Sequence, residues 1–93
     1  MPEIDFKQKL RAVEDVLLRE LDGEAVILHL GDESYYGLNE SGTRMWQALT
    51  SSESIEVAYN ALLDEFDVDA TTLKKDVETL VSSMLQKKMV TLS

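Results

Sequence analysis

Residues 34–42 read Ser-Tyr-Tyr-Gly-Leu-Asn-Glu-Ser-Gly, and the change of period inside that stretch decides the fold. A short aromatic run ends at Leu38, the chain turns at Asn39, and an amphipathic segment carrying Met45, Trp46 and Leu49 begins at once. A strand is handing over to a helix. Asn39 or Ser41 suits the N-cap, because a short polar side chain accepts from backbone N–H groups that have no intrahelical partner.

Upstream of that junction the pattern is extended. Residues 16–21 are apolar and strand-like, and Asp22-Gly23 follows. A two-residue Asp-Gly loop suits a type I′ turn, whose twist matches that of the flanking strands. Residues 24–30 return as a second strand, with Val26, Leu28 and Leu30 on one face and Ala25, Ile27 and His29 on the other. Gly31-Asp32-Glu33 makes the next turn, and residues 34–38 form a third strand with Tyr36 and Leu38 on one face and Tyr35 on the other.

Downstream the period is helical. One helix is expected over about residues 41–49, broken by Thr50-Ser51-Ser52. A second, capped by Ser52 or Ser54, carries Ile55, Ala58, Tyr59, Leu62 and Phe66 at helical spacing. Asp69 suits the cap of a third, whose stripe is Leu73, Val77, Leu80, Val81, Met84 and Leu85, with Lys87 and Lys88 expected in its last turn. Three antiparallel strands followed by three helices make an α+β domain of winged-helix type over residues 13–93. Residues 1–12 have no clean period and read as a loosely ordered arm.

Composition limits the functions open to this fold. A 93-residue chain buries only about 60–65% of its unfolded surface, which leaves little room for a deep enclosed active site. The chain has no cysteine, hence no disulfide and no thiolate metal site, and it shows no secretory signal and no membrane-length apolar run. A cytoplasmic protein is expected. Eighteen acids against nine bases give a net charge of −9, which repels phosphate backbones and anionic lipid and favours encounter with basic partners.

Catalytic and cofactor signatures are missing. His29 is the one histidine and lies in mid-strand, where a packed or solvated role is the ordinary one. The four glycines fit neither phosphate-binding spacing. Asp67, Asp69, Thr71 and Glu78 imitate a calcium loop, but Thr72 stands where that loop needs glycine. No enzyme, cofactor or metal site is expected. A winged-helix DNA-binding regulator is the main rival reading, and it needs a basic stripe. Lys74, Lys75, Lys87 and Lys88 are split between the two ends of the third helix, with Asp76 and Glu78 among them. Neither nucleic acid nor membrane is expected as a partner.

Peptide binding is the remaining class. If strand order is sequential, residues 34–38 lie at a sheet edge and offer unpaired backbone groups to an added strand. An open edge and a free arm also permit dimerisation.

The hairpin Glu20-Leu21-Asp22-Gly23-Glu24-Ala25-Val26-Ile27-Leu28 and the stretch at residues 34–42, in that order, resemble the PqqD-like family over roughly residues 13–92. The resemblance implies a small non-catalytic domain that recognises the leader segment of a ribosomally made precursor peptide. It implies that the leader lies antiparallel along the third strand beside the third helix. Carried onto this chain, Ser34, Tyr35, Tyr36 and Gly37 would form the docking strand, and Lys74, Val77, Glu78 and Val81 the helix wall. Period alone leaves Val77 and Val81 open between groove and core. Implied partners are the leader and a modifying enzyme, such as a radical S-adenosylmethionine enzyme or a lasso-type leader peptidase. Within the family, pyrroloquinoline quinone synthesis, lasso peptide maturation and work with radical-chemistry enzymes are all represented. The Tyr-Tyr-Gly-Leu-Asn stretch with the amphipathic tail looks more like the broad PqqD-like or lasso-associated group than the quinone-cofactor proteins.

Overall fold

Asp22 and Gly23 both take positive φ, 53° and 84°. These are the dihedrals a type I′ turn needs, and they let β2 (Val16–Leu21) fold straight back as β3 (Glu24–His29) with Leu21 opposite Glu24. A second turn, with Glu33 at φ 57°, brings in β4 (Ser34–Leu38), and the sheet order is β2-β3-β4, antiparallel throughout. The computed structural model describes residues 4–93. Three helices follow as expected: α1 (Glu40–Ser51), α2 (Ile55–Glu65) and α3 (Ala70–Gln86).

Each helix begins at a side-chain cap. Asn39 accepts from the Gly42 N–H at 2.8 Å, Ser54 from Val57 at 3.1 Å, and Asp69 from Thr72 at 3.3 Å. The end of α3 differs from the sequence expectation. Lys87 and Lys88 lie just beyond the helix, because Lys88 adopts φ 60° and terminates it. Its N–H bonds to the Leu85 carbonyl and the Met89 N–H to the Met84 carbonyl, which closes a Schellman motif and turns the buried Met89 back onto the core.

The sheet uses one face for the core. Ala25, Ile27, His29 and Leu38 are buried against helix residues that include Met45, Trp46 and Leu49 of α1. Val77, Leu80, Val81 and Met84 of α3 complete the core, with Ile55, Ala58 and Leu62 of α2. Arg44 of α1 donates to Glu65 of α2 at 2.7 Å, and that hydrogen bond, ahead of the charge attraction, holds the guanidinium above its ordinary pKa. Both side chains are exposed, so the pair adds little stability.

The main departure concerns the arm. Residues 1–3 lie outside the described residues, but β1 (Leu10–Ala12) pairs antiparallel with β5 (Val90–Leu92), forming a second, two-stranded sheet. Leu10 is fully buried, and Ile4 and Phe6 pack against the core. The same segment completes two helix ends. The carbonyls of Phe6 and Gln8 accept from the first N–H groups of α2, those of Glu56 and Ile55, at 2.8 and 2.9 Å. Lys9 donates to the carbonyls of Ser52 and Thr50 at 2.6 and 3.5 Å, placing a cation at the C-terminal end of α1. Residues 4–12 are therefore part of the folded domain.

Leu10→Ala should lower the unfolding free energy by about 2–4 kcal/mol in urea denaturation, the range for a fully buried leucine. A loosely held arm would give a change near zero.

Candidate functional site

The backbone groups left open along β4 follow from the turn at Asp22-Gly23. In an antiparallel ladder, residues on one strand bond alternately to one neighbour and then the other. A two-residue turn makes Leu21 and Glu24 a hydrogen-bonded pair, so Glu24, Val26 and Leu28 bond toward β2. The bond from the Leu30 N–H to the Asp15 carbonyl at 2.7 Å continues that parity. Ala25, Ile27 and His29 then bond toward β4, where their partners are Leu38, Tyr36 and Ser34. Tyr35 and Gly37 are left with N–H and C=O groups directed away from the sheet, along its open edge.

That edge carries no charge. Ser34, Tyr35, Tyr36, Gly37 and Leu38 are all neutral, whereas the opposite edge strand, β2, contains Arg19 and Glu20. Charged side chains are a common way to blunt an edge against strand addition, so β4 is the less protected of the two edges. Tyr36 points inward and packs against the core, while Tyr35 on the outer face is 68% exposed. Beside Tyr35 the register sets Leu28 and then Leu17, and beside Gly37 it sets Val26 and then Arg19. The outer face thus bears an uncovered apolar surface, on which Leu17, Leu21 and Val26 are exposed.

The loop that starts β4 is held by the chain's histidine. His29 is buried, and its Nδ1 accepts from the Asp32 N–H at 3.1 Å. Gly31 lies tight against it: a Cβ there would stand 3.2 Å from His29 Cε1. This gives His29 a structural task at the base of β4.

The expected helix wall divides. Val77 and Val81 are fully buried and offer no surface to a ligand. The helical stripe is core at both positions, which period alone left open. Lys74 and Glu78 do reach the surface, where they line a concavity with Phe6, Tyr59 and Asn60. Phe6 meets Tyr59 edge to face at 5.7 Å, and the Lys74 ammonium lies 5.8 Å from the Phe6 ring centroid, a cation–π contact. No residue of β4 lines that concavity, and no residue of α3 lines the shallow depression at Gly37. The structure thus gathers Ser34 to Gly37 on one strand and Lys74 with Glu78 on another surface. Phe6 was absent from the sequence-based site. A lone aromatic in an aperiodic segment carries no local signal.

Among known families, the sequence profile described as Coenzyme PQQ synthesis protein D (PqqD) matches residues 24–90. The chain belongs to the PqqD family. No curated protein matches it. Among solved structures, this PqqD-family chain is similar to TbiB1 in complex with the TbiA(beta) leader peptide, with a TM-score of 0.79 and 28% identity, over 86% of this chain and 93% of that one. It also resembles a lasso peptide synthetase B1 complexed with the leader peptide, at a TM-score of 0.79 and 23% identity, over 89% of this chain and 98% of that one. The second likeness carries the fold alone. The matched segment begins at Glu24 and includes β3, β4 and all three helices.

Amide exchange checks the parity of the edge. The N–H groups of Tyr35 and Gly37 should exchange within the dead time of a hydrogen–deuterium experiment, while Tyr36 between them is protected by about two orders of magnitude or more. Equal protection along β4 would contradict the ladder assignment.

Proposed function

We propose that this chain recognises the leader segment of a ribosomally made precursor peptide, taking it as an added strand on β4, and presents it to a modifying enzyme. The observation that carries the reading is the uncharged edge at β4, with the backbone groups of Tyr35 and Gly37 aimed outward. Its PqqD-family membership and its 28% identity to a protein solved with a leader peptide support the same reading.

The energetics suit a module that holds without reacting. Two outward-facing residues offer at most a few backbone hydrogen bonds, each worth about 1 kcal/mol net. A flexible leader also loses conformational freedom on docking. Affinity must therefore come from side chains on the faces of the added strand, and the exposed Tyr35 supplies an apolar ring with a polar tip. On the α3 side, Lys74 and Glu78 are the two positions of the expected wall that remain available to a ligand. Holding the precursor raises its effective concentration at the enzyme that modifies it. That enzyme is of the class that such leaders serve, a leader peptidase of the lasso type or a radical S-adenosylmethionine enzyme. The chain itself does no chemistry in this scheme, and it acts in the cytoplasm where its precursor is made.

DNA recognition has no comparable support. A recognition helix needs cations arrayed toward the phosphates, and Lys74 of α3 instead lies over Phe6. The net charge of −9 opposes the approach to a duplex.

An NMR titration of labelled protein with the leader half of the precursor encoded beside this gene tests the proposal. Saturable shifts at residues 34–38, with new exchange protection at Tyr35 and Gly37, are expected. A folded protein that shows no change along β4 with that peptide would sink the claim. Tyr35→Pro, which deletes an outward donor and the exposed ring together without touching the β3 ladder, should weaken binding by about tenfold or more.

A further inference from the structure

Gly37 serves no evident purpose among the described residues of its own chain. Glycine weakens a strand through chain entropy and missing side-chain contact, so its presence in mid-strand asks for a cause. Positive φ is one, and Gly23 shows it at 84°, but Gly37 does not. Crowding is another. A Cβ at Gly31 or Gly42 would stand 3.2 Å from a neighbouring atom, whereas at Gly37 it would meet nothing within 4 Å among the described residues. A bulge is the third, and the pairing of β3 with β4 runs unbroken from Ala25–Leu38 through Val26–Gly37 to His29–Ser34.

What Gly37 leaves is space on the outer face. Val26, directly across from it, is 37% exposed, and the depression there is bounded by Arg19, Leu21 and Asn39. Tyr35, two residues earlier on the same face, stands beside the gap. Gly37 is also one of the two residues whose backbone groups point to the open edge. A strand added in antiparallel register therefore sets one residue directly opposite Gly37, as a hydrogen-bonded pair about 5.5 Å away between Cα atoms. Paired residues share a face, so the side chain of that ligand residue emerges on the outer side, next to the missing Cβ.

We propose that the gap at Gly37 is a specificity subsite, which accepts one large apolar side chain of the bound leader, an aromatic ring above all, lying across Gly37 onto Val26. The inference rests on the strand-addition reading and deepens it by naming which ligand residue is selected and for what chemistry. An aromatic side chain across from a glycine in a sheet covers the bare backbone and restores the packing that the glycine forfeits. Tyr35 flanks such a ring on one side. The Arg19 guanidinium, on the far side of Val26, can stack on its face. A β-branched side chain at position 37 would fill the subsite while suiting an extended backbone better than glycine does.

Stability and recognition are thus expected to move in opposite directions. The test uses a randomised peptide library displayed on phage, selected on the wild-type protein, with the recovered peptides then measured by calorimetry against Gly37→Ala and Gly37→Thr. The expected result is one ligand position enriched in Trp, Tyr, Phe, Leu or Ile. Affinity for those peptides should fall by about tenfold or more in Gly37→Thr and by less in Gly37→Ala, with melting temperatures equal to or above wild type. Peptides that shift the β4 amides but bind both variants as tightly as wild type overturn the subsite and leave strand addition standing. A lower melting temperature for Gly37→Thr overturns it as well, because the glycine would then serve the fold. Failure to recover any peptide that shifts the β4 amides overturns the peptide-binding reading and this inference with it.

Discussion

The two-residue turn at Asp22-Gly23 governs the far edge of the sheet, two strands away from it. Positive φ at both positions fixes Leu21 opposite Glu24, and that pairing propagates as strict alternation through β3 into β4. A slip of one residue would carry Ala25 and Ile27 to the surface and drive Val26 and Leu28 into the core. It would also change which backbone groups of β4 face outward. The core holds the register against such a slip, since Ala25, Ile27, His29 and Leu38 are buried together on the inner face. The chemistry of the open edge is thus a consequence of a turn and a hydrophobic pattern, both of them local.

Because they are local, these features are legible in the amino-acid sequence. The Asp-Gly signal, the period of two in residues 24–30 and the change of period at Asn39 lead to the strands, their faces and the start of α1. Ser54 and Asp69 fill the caps that their position before an apolar run suggests. The β1–β5 sheet is illegible for the opposite reason. Its two strands are three residues each, and Leu10 pairs with Leu92 across nearly the whole chain. No window of sequence contains both. Phe6, Gln8 and Lys9 are hidden in the same way, since their partners on α1 and α2 lie more than forty residues away and their own surroundings have no period. The segment reads as an arm because everything it does is done at long range.

The candidate site divides along the same line. Its strand half is written in the alternation of Ser34 to Leu38. Its helix half is ambiguous in principle, because an apolar stripe on α3 looks the same whether its margin meets a ligand or the interior. Val77 and Val81 turn out to be interior, and the concavity at Lys74 and Glu78 is completed by Phe6, a residue from the illegible segment. Gly37 is the intermediate case. Its position on the strand is plain from sequence, but the fact that nothing among the described residues crowds its missing side chain emerges only from the packed structure.

An open, uncharged edge strand is also a hazard, since it can pair with its own copy in another molecule. Here the protection lies at the two ends of β4. Asp32 and Glu33 precede it, and Glu40 follows within two residues of its end. Antiparallel pairing of two such strands would set the acids before one against the acid after the other. Each copy brings a net charge of −9 to that encounter, so repulsion opposes it at long range as well. Charges on the strand itself would have protected it equally well, but they would have interrupted the surface along which the proposed leader strand lies. Placing them outside it separates the two requirements. On the proposed reading the same arrangement would discriminate among foreign strands: one flanked by basic residues would meet attraction at both ends, and an acidic one the repulsion that a second copy would.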